Sequence, residues 1–200
     1  MSCIAIIPAR GGSTRIPKKN IKLFHGEPII AYSIETAKKS NIFNRIIVST
    51  DCFDIAEVAN NYGAEVMMRH ADFAKDEVGT QEVIRNALDT LEITEQYSPM
   101  YTCCLYATAP MLQPHTLRRA KMMLSPGVPY VVPVATWLRD PGQFYFGNTN
   151  AFKFGAALNT NRTQIIWIDP ATECDINTPE DWERAKRIYK KPADKGSGAS

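Results

Sequence analysis

Residues 4–20 read Ile-Ala-Ile-Ile-Pro-Ala-Arg-Gly-Gly-Ser-Thr-Arg-Ile-Pro-Lys-Lys-Asn, and this stretch constrains the fold more than any other. A short apolar run rich in β-branched residues suits a buried strand. Pro8 ends it. Gly11 and Gly12 then share a loop with four cations, Arg10, Arg15, Lys18 and Lys19. Glycine lets backbone N–H groups approach an anion closely, and Arg and Lys neutralise it. The pattern predicts a cationic loop carried by a buried strand, which reads as a polyphosphate site or as a surface loop with ordinary solvated charges. The spacing matches neither G-x-G-x-x-G nor G-x-x-x-x-G-K-[ST], which excludes the dinucleotide fingerprint and the Walker A loop. Ile16 and Ile21, with Pro8 and Pro17, are expected to hold the loop in one shape.

Downstream, apolar strands alternate with amphipathic helices. Residues 28–40 have helical spacing, with Ile29, Ile30, Ile34 and Ala37 on one side and Pro28 at the first helical position. Residues 45–50 form a second buried strand. Asp51 follows, then a helix to about Tyr62 closed by Gly63, then a third strand over 64–68. Thr80 precedes a helix over 81–95 and reads as its N-cap. Further strands fall at 101–106, 130–134 and 164–168, a helix at 114–124, and an aromatic strand after Gly142. This alternation predicts an α/β fold: a single Rossmann-like three-layer domain over 1–192 with a mostly parallel sheet, then a flexible tail over 193–200. Ligands of such sheets lie at the carboxyl ends of strands. The first loop and Asp51 both fall there. Asp51 reads as the N-cap of the next helix or as a ligand contact, and the two can coexist.

The chain has 200 residues, enough for one domain with a real core. A net charge of +2 carries no global field for nucleic acid. No apolar run approaches a membrane span, and the N-terminus lacks a signal-peptide layout, so a cytoplasmic protein without a membrane partner is expected. The five cysteines include no C-x-x-C and read as small buried hydrophobes, with Cys103 and Cys104 on opposite faces of a strand. His25, His70 and His115 lack metal spacing and read as surface or loop residues. Met122, Met123 and Leu124 read as core filler.

Near the C-terminus, Thr178 and Pro179 form a helix start as N-cap and first helical residue, with acids in the first turn. Before them, Asp175 and Asn177 alternate along an extended segment, so both side chains can face one ligand. Oxygen donors with retained water suit Mg²⁺.

The first loop resembles the signature I-P-A-R-G-G-S-K-R-I-P-x-K-N of the sialic-acid-type cytidylyltransferases, in particular their pseudaminic acid branch. Thr14 stands where that signature has lysine. Residues 107–110 resemble the family's P-T-[SA]-P turn, with Ala107 for the first proline. Residues 140–147 resemble D-A-G-Q-F-Y-W-G, and 175–178 resemble D-x-D-T with Asn177 for the second aspartate. The resemblance runs from Ile4 to about Tyr189. It lacks a segment that the family carries between Arg139 and Asp140, which holds part of the sugar site and of the dimer contact.

The resemblance implies a nucleotide-diphospho-sugar transferase fold and transfer from CTP to an acidic nine-carbon sugar. Arg10, Arg15 and Lys19 would hold the triphosphate, together with backbone from Ala9 through Gly11, Gly12 and Ser13. Asn20, Arg69 and Thr80 would recognise cytidine. Tyr106, Thr108 and Gln143 would lie near the sugar. Mg²⁺ would sit on Asp175 and Asn177, and Arg10, Lys19 and Asp175 would carry catalysis. The implied partners are CTP, the sugar and a second copy of the chain, through a segment shortened here. Sialic, legionaminic and ketodeoxyoctonic acids stay open as acceptors, as does a degenerate binder of CTP without turnover.

Overall fold

A computed structural model describes residues 2–75, 77–136 and 139–189. The proposed tail over 193–200, and Trp137 and Leu138 beside the shortened segment, lie outside the described residues. In chain order the elements are β1 (Cys3–Pro8), β2 (Leu23–Phe24), β3 (Glu27–Pro28), α1 (Ile29–Ser40), β4 (Arg45–Thr50), α2 (Phe53–Asn61) and β5 (Glu65–Met68). Then come α3 (Thr80–Glu95), β6 (Tyr101–Leu105), α4 (Pro114–Met122), β7 (Tyr130–Val134), β8 (Phe144–Asn148), α5 (Thr149–Lys153), β9 (Gln164–Trp167) and α6 (Pro179–Ile188).

Seven strands make one sheet in the order β5-β4-β1-β6-β8-β7-β9, while β2 and β3 pair as a separate hairpin. β1 runs parallel to β4 and β6, β4 parallel to β5, and β7 parallel to β9. β8 is antiparallel to both β6 and β7. The sheet is thus mostly parallel, with one reversed strand. The reversal follows from connection length: the stretch from Val134 to Phe144 is shorter than the dozen or more residues of a parallel crossover.

The period of two along β1 splits the core into layers. Ala5 and Ile7 join Ile30 and Ile34 of α1, Ile55 of α2 and Leu117 of α4. Ile4 and Ile6 join Ile84, Leu88 and Leu91 of α3, with Phe152 of α5. Cys103 and Cys104 fall on opposite sides, and all five cysteines are free thiols. A third cluster lies at one end of the sheet. It packs Ile16 of the first loop and Phe24 of the hairpin against Cys174, Ile176 and Trp182. This cluster fixes the first loop next to the segment that carries Asp175 and Asn177.

Several local expectations change. Pro28 ends β3 and caps α1, whose first helical residue is Ile29. Thr80 is the first residue of α3, and Gly79 is the N-cap. Cys52, not Asp51, caps α2. Met122 is 85% exposed at the end of α4, and only Met123 and Leu124 pack partly on the core. The Thr178 cap holds and forms a capping box with Asp181. No described helix is long and apolar enough to cross a membrane.

Candidate active site

A cavity of about 250 Å³ opens at the carboxyl end of the parallel strands. Pro8 and Arg10 reach it from the end of β1, Arg69 from the end of β5, and Tyr106, Ala107 and Thr108 from the end of β6. Ser13, Thr14, Arg15, Lys19 and Asn20 come from the first loop, Thr80 and Val83 from α3, and Asn177 from the segment before α6. The fold thus brings together ten of the residues singled out in the sequence: Arg10, Ser13, Arg15, Lys19, Asn20, Arg69, Thr80, Tyr106, Thr108 and Asn177. Ala9, Gly11, Gly12, Gln143 and Asp175 do not line it.

The first loop is tied down from several directions. Ile16 is buried, and Lys18 adopts a left-handed conformation with φ 50°. The Ala9 N–H donates to Ser49 O at 2.9 Å and the Ser13 N–H to Gly11 O at 3.0 Å. The Gly11 N–H donates to Asp51 Oδ1 at 3.1 Å. Three of the N–H groups from Ala9 through Ser13 thus already hold the loop. Gly11 is needed for contact with the β4–α2 turn, because a Cβ there would sit 2.9 Å from Cys52 Cβ. Asn20 is buried, and its Nδ2 donates to Arg10 O at 2.9 Å, which leaves its amide oxygen and one N–H for a ligand. Of the loop's cations, Arg10, Arg15 and Lys19 line the cavity, whereas Lys18 pairs with Asp54 at 2.9 Å.

Lys19 is half-buried and its Nζ donates to Ile176 O at 2.8 Å. It stitches the first loop to the C-terminal segment. Burial lowers its pKa, opposed by Asp175. Arg10 reaches Ala74 O through Nη1 at 3.5 Å. Arg69 is the most enclosed cation. Its Nη1 donates to Ser49 O at 3.2 Å, and Asp51 Oδ1 lies 3.8 Å from Nη2. Burial lowers its pKa, opposed by Asp51. Its Nε is buried with no partner among the described residues, a donor in want of an acceptor beside the cavity.

On the opposite wall, the Tyr106 hydroxyl donates to Thr80 Oγ1 at 3.5 Å, and burial pushes its pKa up to about 12. It therefore stays a neutral phenol. Its ring meets Tyr145 edge-on at 5.8 Å, and the Tyr145 hydroxyl donates to Asp140. Gln143 is not brought to this cavity. It is 1% exposed, and its Nε2 donates to Thr172 O at 3.0 Å, behind the loop that Thr108 belongs to.

Asp175 and Asn177 alternate outward while Cys174 and Ile176 alternate into the third cluster, so both polar side chains share one face. Asn177 Nδ2 donates to Asp175 Oδ2 at 2.6 Å. The surrounding protein desolvates the Asp175 carboxyl and raises its pKa. Asp140 adds to this, while Asn177 and Lys19 oppose it. Gly142 explains how the carboxylate fits. Its φ is +61°, and a Cβ there would lie 2.5 Å from Asp175 Oδ1. The donor set is one carboxylate and one neutral amide oxygen. A small hard cation accepts such a set when phosphates and water complete its shell. No three His, Cys, Asp or Glu side chains among the described residues cluster as a self-sufficient metal site, so such an ion would depend on its substrate.

Sequence reasoning missed what five residues do in the fold. Lys75 and Phe73 line the cavity from a short 3-10 turn over Ala71–Ala74 and the residue after it, a segment with no periodicity to flag it. Asp51 acts on the first loop and faces Arg69, which neither of its two readings covered. The Tyr145–Asp140 pair depends on the reversed strand β8.

Solved structures share this architecture. A CMP:2-keto-3-deoxy-manno-octonic acid synthetase complexed with CTP superposes with a TM-score of 0.73 over 94% of this chain and 98% of its own, at 14% identity. A Mycobacterium tuberculosis protein solved with manganese superposes with a TM-score of 0.67 over 94% of this chain and 99% of its own, also at 14% identity. At such identity the likeness establishes the fold, that of nucleotidyltransferases. Residues 4–188 match the cytidylyltransferase family, and the chain belongs to it. A pseudaminic acid cytidylyltransferase of Campylobacter jejuni is 33% identical over 226 residues, covering 95% of this chain and 97% of the relative. An alignment of that length leaves part of the relative without a counterpart in a chain of 200 residues.

Proposed function

We propose that this cytidylyltransferase activates an acidic nine-carbon sugar of the pseudaminic acid type with CTP. The anomeric hydroxyl attacks the α-phosphorus, a new P–O bond forms, and the bond to the bridging oxygen breaks. Pyrophosphate leaves with the electron pair, and the hydroxyl proton passes to water. The observation that carries this reading is the gathering of Arg10, Arg15, Lys19 and Arg69 around one cavity at the ends of parallel strands. Four cations suit a triphosphate and the charge that develops as pyrophosphate departs.

In this reading Arg10, Arg15 and Lys19 hold the triphosphate. The orphaned Arg69 Nε, the Asn20 amide oxygen and Thr80 are available to the cytosine ring. Tyr106, as a neutral donor, and Thr108 take the sugar side. Gln143 drops out of the sugar contacts. Positioning by these residues supplies most of the acceleration, because little covalent work falls to the protein. Asp175 and Asn177 would hold Mg²⁺, which when bound supplies charge neutralisation at the phosphates. The five free thiols fit a reducing cytoplasm. The relative's unmatched stretch fits a shortened segment between Arg139 and Asp140, so the dimer contact implied by the resemblance is not carried into the proposal.

The test is pyrophosphate release from CTP with pseudaminic, legionaminic, sialic and ketodeoxyoctonic acids, with and without Mg²⁺, beside Asp175→Ala. Release with pseudaminic acid, dependent on the ion and lost in the variant, is the expected result. CTP binding without release from any acid would overturn turnover and leave a binder.

A further inference from the structure

A second cavity, of about 210 Å³, lies behind the active site between the start of α4 and the end of β9. The loop after β6 separates the two. Ala107 and Thr108 face the first cavity, and Met111 and Leu112 face the second. Nothing in the nucleotidyl-transfer reading uses this space.

Its polar groups are arranged asymmetrically. In its wall, Gln143 is 1% exposed and its Nε2 donates to Thr172 O. That bond sets the orientation of the amide, because a flipped amide would put oxygen against oxygen. Oε1 is then the leftover atom, buried and without a partner. A buried acceptor in that state calls for a donor. At the other wall, α4 begins with Gln113 as N-cap making no side-chain cap bond, Pro114 next, and no acid in the first turn. The helix's own first turn thus does not compensate its positive end, and the carboxylate that does line the cavity, Asp169, already accepts from the Ala171 N–H through Oδ1. His115 and Arg119, one turn apart on α4, also line the cavity, and neither makes a hydrogen bond or ion pair among the described residues. Arg118 and Lys121 on the same helix do find partners, at Lys39 O and Ile42 O.

We propose that this cavity binds a small hydroxycarboxylate. The carboxylate meets Arg119 and the start of α4, and a hydroxyl donates to Gln143 Oε1. Met111 and Leu112 take the carbon skeleton. At about 30 Å³ per water the space holds a handful of heavy atoms, which suits a short hydroxy acid and not a nucleotide. A plain carboxylate leaves Gln143 unmatched, and a neutral polyol leaves Arg119 unmatched. The site stands whether or not the nucleotidyl-transfer reading does.

Titration calorimetry of the full chain with D-glycerate tests it. Saturable binding is expected, weakened at least tenfold in Arg119→Gln and in Gln143→Leu and unchanged in Lys19→Ala. Propionate and glycerol should each bind at least tenfold more weakly than glycerate. Arg119 is exposed, so its variant decides the matter even where Gln143→Leu fails to fold. Absence of saturable binding overturns the site. So does binding kept in Arg119→Gln but lost in Lys19→Ala, which would put glycerate among the cations of the first cavity. Propionate binding as tightly as glycerate would overturn the role given to Gln143.

Discussion

The half of the sheet built from β5, β4, β1 and β6 and the half built from β8, β7 and β9 differ in how their residues are held. In the first half every strand pair is parallel, β1 is buried on both faces, and the first loop is tied to neighbouring segments at Asp51, Ser49 and Ile176. In the second half one strand is reversed, and β9 forms an edge with Ile165 45% and Trp167 62% exposed. In the proposed reading the triphosphate would lie against the first half, where the backbone is more firmly held.

The sharpest way to break that comparison is to delete matched side chains. Ile6→Ala, in the centre of the first half, should lose about 2–5 kcal/mol of stability. Ile165→Ala, on the edge of the second, should stay within about 0.5 kcal/mol. Chemical denaturation of the two variants reads the difference, and similar losses would erase the distinction.

Within the first half, Lys19→Ala should lower kcat/KM for CTP by about 100-fold, the scale of one charged group aimed at a developing charge. It removes a cavity cation and the stitch to Ile176 together. Steady-state kinetics with varied CTP measure the loss, and an unchanged value would take Lys19 out of the triphosphate site.

Gly142→Ala tests the junction of the halves. The left-handed backbone alone costs an alanine about 1–2 kcal/mol, and the added Cβ must also displace the Asp175 carboxylate. Activity should fall about tenfold with weaker Mn²⁺ binding by spin resonance, whereas CTP binding without metal should be kept. Intact ion binding would detach Gly142 from Asp175.

The smallest effect separates the two tasks of Asp51. Asp51→Asn keeps an oxygen for the Gly11 N–H and removes the charge facing Arg69, so KM for CTP should rise about 3-fold. Asp51→Ala loses both, and the rise should reach about tenfold. Equal effects would assign everything to the charge.

The two halves also differ in how far they could be read from the chain. Strand and loop were legible in residues 4–20 because the hydrophobic run, prolines and glycines are local features, and the third cluster confirms Ile16 as the anchor. Asp175 and Asn177 were readable as a pair because period-two alternation puts them on one face. Gln143 lies outside the first cavity because its environment is set by Thr172, a contact no spacing reveals. The commitments of the Gly11 and Ser13 N–H groups, and the role of Asp51, likewise arise from segments that meet only after folding. The reversal of β8 was missed because strand direction depends on the connection, and the aromatic run reads alike both ways. The cap of α3 fell on Gly79 because Thr80 already has helical geometry.

The most direct measurement of the central claim is a crystal structure with CTP and a divalent cation. The account predicts the triphosphate against Arg10, Arg15 and Lys19, cytosine against Arg69 and Asn20, and the ion between a phosphate oxygen and Asp175. A triphosphate lying away from these cations, or cytosine seated on the Tyr106 side, would contradict it.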